Sequence, residues 1–175
     1  MHSNIEPSQA IAWLRGAGPM PSMETLNAAE ALHPWLGLTT SLTKKLQHIF
    51  ATKRGLSLLG EGLEHGNTWE RELLSAQQNV YARHIALTIG GTPVVLARSV
   101  TTQGSGMDAL TRLKTRPLAE LLFEDSQWER NADMQYLVLD GGVPGRGCLW
   151  HNRTLGAGLI VQEFFLHALL AQVGP

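Results

Sequence analysis

A chain of 175 residues with 43% hydrophobic content is long enough for one domain with a substantial core. Its formal charge of −1, with acidic and basic residues interspersed, gives no basic stripe and speaks against nucleic acid as a partner. The single cysteine, Cys148, admits no internal disulfide, the opening MHSNIEPSQ lacks the regions of a secretory signal, and no apolar run reaches the roughly 20 residues of a membrane helix. The expectation is one cytoplasmic domain over residues 1–175, by default a monomer.

Residues 8–15 and 23–32 read as helices separated by the Gly-Ala-Gly-Pro stretch at 16–19. The hydroxyls Thr39, Thr40 and Ser41 cap a further helix whose apolar residues Leu42, Leu46, Ile49 and Phe50 share one face. A strand is expected at 56–63 and a short helix or irregular entry at 68–76. Next comes a hairpin, VYARHIALTI at 80–89 and VVLARSV at 94–100, turning on Gly90-Gly91. After a loop at 101–106, Met107–Leu113 reads as a helical turn, and Arg116-Pro117 opens a helix through Phe123. Strands at 134–140 and 158–166 finish the chain, joined by the Gly-rich loop GGVPGRG and a turn near Arg153–Gly156. The order predicts an α+β architecture, a single antiparallel sheet with helices on one face.

The hairpin carries the most informative residues. Alternation puts Tyr81, Arg83, Ile85, Leu87 and Ile89 on one face, so a guanidinium sits in an apolar row. Counting outward from Gly90-Gly91 as a two-residue turn pairs Ile89 with Thr92, Leu87 with Val94, Ile85 with Leu96, and Arg83 with Arg98. Two like charges facing each other call for an anion, since burying an unpaired guanidinium costs roughly several kcal/mol. In the last strand Glu163 shares a face with Leu159, Val161 and Phe165. Arg83, Arg98 and Glu163 sum to +1, which an anionic ligand would complete. The plainer alternative is a structural Arg83–Glu163 salt bridge with Arg98 reaching to water.

Four stretches, SLTKKL at 41–46, YARHIAL with PVVLARSVT at 81–101, RPLAELLFED at 116–125 and QEFFL at 162–166, together resemble the chorismate lyase (chorismate pyruvate-lyase) family. The resemblance runs from about Trp35 onward; residues 1–30 match nothing specific in it. It implies a fold of one antiparallel sheet with helical flaps over a buried ligand pocket. It also implies conversion of chorismate to 4-hydroxybenzoate and pyruvate, for ubiquinone synthesis, without cofactor or metal. By the same resemblance Arg83 grips the ring carboxylate, Glu163 lies near the ring hydroxyl, Leu42 and Leu118 offer backbone amides, and Arg98 is a second arginine of the site. Each role suits its residue: a planar fork for a carboxylate, an acceptor for a hydroxyl, helix starts for an anion. Three departures from the family pattern stand out. His167 replaces a proline, the stretch 102–107 is shorter, and an arginine-rich segment is reduced to Gly145-Arg146-Gly147.

Other motifs carry less. Gly104-Ser-Gly-Met-Asp-Ala109 has the spacing of a dinucleotide loop, but the next acidic pair, Glu124-Asp125, ends a helix and not a second parallel strand. The seven histidines have no metal-ligand spacing, and Cys148 has no histidine and acid arranged around it in sequence. The rival function is a non-catalytic binder of hydroxybenzoate, a sensor domain of the kind found in GntR-type repressors. The roughly 80 residues before the hairpin contain no basic recognition helix, which argues against a repressor.

Overall fold

The computed structural model describes residues 5–19, 33–50, 54–77, 79–124, 127–131 and 134–173; the helix expected at 23–32 lies outside them. The frame is one eight-stranded antiparallel sheet. Its strands are β1 (Gly18–Pro19), β2 (Arg54–Glu64), β3 (Val80–Ile89), β4 (Thr92–Thr102), β5 (Trp128–Arg130), β6 (Gln135–Val138), β7 (Pro144–Asn152) and β8 (Ala157–Phe165). Across the sheet they run β1-β6-β7-β8-β4-β3-β2, with β5 also on β7. Among the described residues the helices are α1 (Pro7–Arg15), α2 (His33–Leu36), α3 (Leu42–Phe50), α4 (Thr68–Leu74), α5 (Ser105–Leu113), α6 (Leu118–Glu124) and α7 (His167–Val173).

The predicted α+β class and the single antiparallel sheet hold, and helices cover one face as expected. On that front face, Ile85, Leu87, Ala97 and Phe165 pack against Leu42 and Leu46 of α3, and Leu159 and Trp150 pack against α5 and α6. The back face is covered as well, by α1, whose Ala10 and Leu14 meet Ala86, Leu96 and Phe164, and by Leu74 of α4 against Val80, Ala82 and Val100. Buried on both faces, β3 and β4 can hold a polar side chain on either side of the sheet only if it finds partners there.

Two expectations need correction. The first is the stretch GGVPGRG, read as a loop, of which residues 144–147 begin the nine-residue central strand β7. A Cβ on Gly145 would come within 2.5 Å of the Glu163 carbonyl oxygen, and one on Gly147 within 2.7 Å of Leu137. These glycines serve close packing between strands, not a turn. The strand expected at 158–166 ends at Phe165, and the next residues, 167–173, form α7.

The second correction is the hairpin register. Gly90 and Gly91 do form the two-residue turn, with φ of +57° and +82°, and Ile89 does pair with Thr92. Beyond it, Thr88 pairs with Pro93 but Leu87 pairs with Val95, so Val94 is an extra residue, a β-bulge. Pro93 has no N–H to give to the ladder, and the Val94 carbonyl accepts from the Leu166 amide instead. From there inward every pairing is displaced by one: Ile85 faces Ala97, Arg83 faces Ser99, and Arg98 faces His84. Arg83 and Arg98 therefore lie on opposite faces of the sheet.

Candidate functional site

On the front face the side chains form a grid fixed by register. One row runs Cys148, Val161, Ser99, Arg83, Glu61 from β7 to β2, and the next runs Arg146, Glu163, Ala97, Ile85. Arg83 and Glu163 thus stand two strands and one row apart, about 12 Å between backbone positions by strand geometry. Between them lie small or apolar side chains. Above this floor Leu42 and Thr43 at the start of α3 converge with Pro117, Leu118 and Leu122 at the start and middle of α6. The cleft so enclosed is small and opens to solvent, with Glu163, Ser99 and Val161 on its floor. Both helix starts are set by sequence: the Ser41 hydroxyl accepts from the Lys44 amide at 3.2 Å, and Pro117 directly precedes α6.

Arg83 is 1% exposed. Its Nη2 donates to the carbonyl oxygens of Lys114 (3.0 Å) and Arg116 (2.9 Å), in the segment joining α5 to α6. Its Nε and Nη1 are buried with no hydrogen-bond partner among the described residues. Burial pushes its pKa down, while the Glu61 carboxylate across the β2–β3 pair opposes that shift. A guanidinium still charged and with two nitrogens unanswered has donor capacity left for an acceptor. Tyr81, on the same strand face, is pushed up to about 12 by burial and by its hydrogen bond to Glu61, so it stays a neutral phenol.

Glu163 does not meet Arg83. Its partner is Arg146 of β7, directly across the strand pair, with Nη2 3.5 Å from a Glu163 carboxylate oxygen. Arg146 is nearly buried, donates through Nη1 to the carbonyl oxygens of Leu36 and Leu38 ahead of α3, and lies over the Phe165 ring at 5.9 Å. The salt bridge weighed from sequence between Arg83 and Glu163 is thus absent, and the second arginine on the cleft face is Arg146. Its position in a strand was hidden by the flanking glycines, although Arg146, Cys148 and Trp150 do alternate in the sequence.

Arg98 belongs elsewhere. On the back face it is also 1% exposed and is gripped bidentately by Glu70 of α4, Nε to Oε2 at 2.7 Å and Nη2 to Oε1 at 2.8 Å. Its Nη1 reaches Glu64 at 2.5 Å and His84 Nε2 at 2.7 Å. Gln162 adds a bond to Glu70 at 2.6 Å, and Glu70 in turn forms a capping box with Asn67 at the start of α4. A guanidinium only donates, so the His84 ring nitrogen accepts and the imidazole is neutral; burial first and then Arg98 lower its pKa to about 4. Burial alone would raise the Glu70 carboxyl, but its bonds to Arg98 more than offset that and hold it below the usual range. The expected role of Arg98 in the ligand site is therefore corrected. Its charge is answered within the protein.

Of the residues singled out from sequence, Leu42, Leu118 and Glu163 line one cleft, Arg83 lies beside it flanked by lining residues Ile85 and Ser99, and Arg98 lies on the far side. No group of three or more His, Cys, Asp or Glu among the described residues is placed to hold a metal ion, and none of the described helices is long and apolar enough to cross a membrane.

The class of protein is thus a single antiparallel sheet carrying a helix-covered cleft with a buried, under-bonded arginine beside it. The family follows from comparison: the chorismate lyase profile matches residues 9–174, and the chain belongs to that family. The match starts well ahead of Trp35, where the resemblance in the sequence becomes legible. Among curated relatives, a probable chorismate pyruvate-lyase of Azoarcus sp. (strain BH72) is 31% identical over 94% of this chain and 95% of its own length. Another in Shewanella amazonensis is 31% identical over 83% and 84%. One from Pseudomonas aeruginosa (strain UCBPP-PA14) is 32% identical over 96% and 97%. Among solved structures, PhnF from Mycobacterium smegmatis aligns over 95% of this chain and 96% of that one, with TM-score 0.47 and 11% identity, a likeness too distant to bear on function.

Proposed function

We propose that the protein is a chorismate pyruvate-lyase that forms 4-hydroxybenzoate and pyruvate, in the service of ubiquinone synthesis. The observation that carries this reading is Arg83, buried with Nε and Nη1 unpartnered among the described residues, at one end of an apolar floor whose other end is Glu163. The separation of about 12 Å between their backbone positions suits a benzene ring bearing a carboxylate at one end and a hydroxyl at the other, with one hydrogen bond beyond each. Arg83 takes the ring carboxylate, and Leu42 and Leu118, each first in its helix, turn amides without helical partners toward it. Glu163 accepts from the ring hydroxyl.

The reaction needs little from the protein. The C4–H bond gives its electrons to the ring, the ether bond at C3 breaks with its pair leaving on the enolpyruvate oxygen, and one proton ends on the enolpyruvate methylene carbon. Atoms and electrons balance without oxidant, cofactor or water. Aromatisation supplies the driving force, so the residues contribute orientation and charge stabilisation. Arg83, Arg146 and Glu163 sum to +1, and chorismate brings two carboxylates, which leaves −1 in the closed site.

The test is to mix metal-free protein with chorismate and follow both products. Equimolar 4-hydroxybenzoate and pyruvate is the expected result. Absence of turnover with tight 4-hydroxybenzoate binding overturns the lyase reading in favour of a sensor, and absence of both overturns the pocket itself.

A further inference from the structure

We infer that Arg146 is the binding residue for the second carboxylate of the substrate, the one carried on the enolpyruvyl ether arm. The inference rests on the lyase reading for the identity of the ligand, but its geometry stands independently. Arg146 enters the front face from β7, one strand beyond Glu163 in the same row and on the side away from Arg83. Substituents at adjacent ring positions, hydroxyl at C4 and ether at C3, therefore meet adjacent side chains, Glu163 and Arg146.

A small space adjoins the cleft on that side. It is lined by Arg146, Cys148, Met134 and Trp150. It shares Leu42, Leu122, Phe123, Val161 and Glu163 with the main cleft, so the two spaces adjoin at those side chains. The arm of a ring lying in the first points toward the second.

The bonding of Arg146 is incomplete in the way a ligand would complete. Its Nε is buried without a partner among the described residues, and its contact with Glu163, at 3.5 Å, is longer than a well-formed charge-assisted hydrogen bond. Its Nη1 is pinned by two carbonyl oxygens, which fix the guanidinium plane without neutralising it. Glu163 alone cannot satisfy both Arg146 and a ring hydroxyl, whereas an incoming carboxylate takes over Nε and the near edge of Nη2 and leaves Glu163 for the hydroxyl. As the ether bond breaks, negative charge moves onto the enolpyruvate, and a fixed cation beside it favours that movement.

Paired ligands give the test. One is 4-hydroxybenzoate, with one carboxylate; the other is 3-(1-carboxyvinyloxy)benzoate, an aromatic diacid that cannot eliminate. In Arg146→Met, affinity for 4-hydroxybenzoate should stay within about twofold, while affinity for the diacid falls roughly 30-fold and kcat/KM for chorismate falls at least as far, the usual loss for a hydrogen bond to a charged group. Arg146→Lys, which keeps the charge but not the fork, should lose diacid affinity by a smaller factor and again spare the monoacid; it carries the same comparison should the methionine variant fail to fold. Equal losses on both ligands would overturn the inference and make Arg146 a structural partner of Glu163, and so would unchanged diacid binding. If the wild-type protein releases no pyruvate from chorismate, the lyase reading fails separately, while the two affinities still decide the role of Arg146.

Discussion

Arg83 and Arg98 are equally buried, stand on neighbouring strands of one hairpin, and do opposite things. Arg98 has a bidentate carboxylate, a second carboxylate and a neutral imidazole around it; Arg83 has two backbone carbonyls and two nitrogens with nothing to bond among the described residues. The first is a cation whose bonding the fold completes, the second a cation whose bonding it leaves open, as the proposed ligand role requires. Burial alone does not distinguish them. What distinguishes structural from functional charge is whether hydrogen-bonding capacity is used up inside the chain.

The sharpest break in this comparison is a stability measurement. Arg98→Ala should cost about 4 kcal/mol in denaturant unfolding, because Glu70 and Glu64 are left buried or half-buried without their cation. Arg98→Met with Glu70→Leu should regain most of that loss, and failure to do so would mean that the network has a further role. Arg83→Met should do the reverse: kcat/KM for chorismate down by about 10³-fold, with unfolding stability unchanged or higher, since a poorly bonded buried cation has been removed. Unaltered kinetics in that variant would end the assignment of Arg83. Next in size, Glu163→Gln should lower kcat by about 10²-fold with 4-hydroxybenzoate binding kept within a few-fold, as expected of a carboxylate that orients a hydroxyl and assists proton movement.

Acid sharpens the same contrast more gently. His84 stays neutral in the folded chain down to about pH 4 but takes up a proton near its ordinary value of 6.5 once unfolded. The unfolded chain thus binds more protons between those limits, so this contribution is complete above pH 6.5 and is lost as pH falls towards 4. Glu70, held below its ordinary 4.5, adds a further loss as pH drops through that value. Together they should weaken unfolding stability by roughly 2–3 kcal/mol from pH 7 to pH 4. His84→Gln should flatten the upper part of that curve, and an unchanged curve would remove His84 from the account.

How much of this was legible in the sequence depends on which rule governed each residue. Alternation alone placed Arg83 and Glu163 on the apolar side of their strands, and the Gly90-Gly91 turn and the helix starts at Leu42 and Leu118 followed from local chemistry. Alternation also misplaced Arg98, because a period of two survives only while the ladder is regular, and Pro93 with Val94 breaks it. A proline two residues past the turn was the available signal. Arg146 escaped for another reason: Gly145 and Gly147 are read locally as loop residues, and the need for bare backbone there arises from Phe164, Leu137 and Trp69, which are remote in sequence. The back-face network was equally invisible, since Glu70 lies 28 residues from Arg98 and Gln162 lies 92 residues from Glu70.

The bulge at Val94 also gives the folding chain a means of proofreading. If the hairpin closed as a regular ladder, Arg83 and Arg98 would stand face to face and Glu70 would find no cation opposite α4. The wrong register is thus penalised on both sides of the sheet, by repulsion in front as the hairpin closes and by an unanswered carboxylate behind once α4 docks. Two buried arginines of the finished molecule thus act during its assembly as a check on where a single residue has been counted.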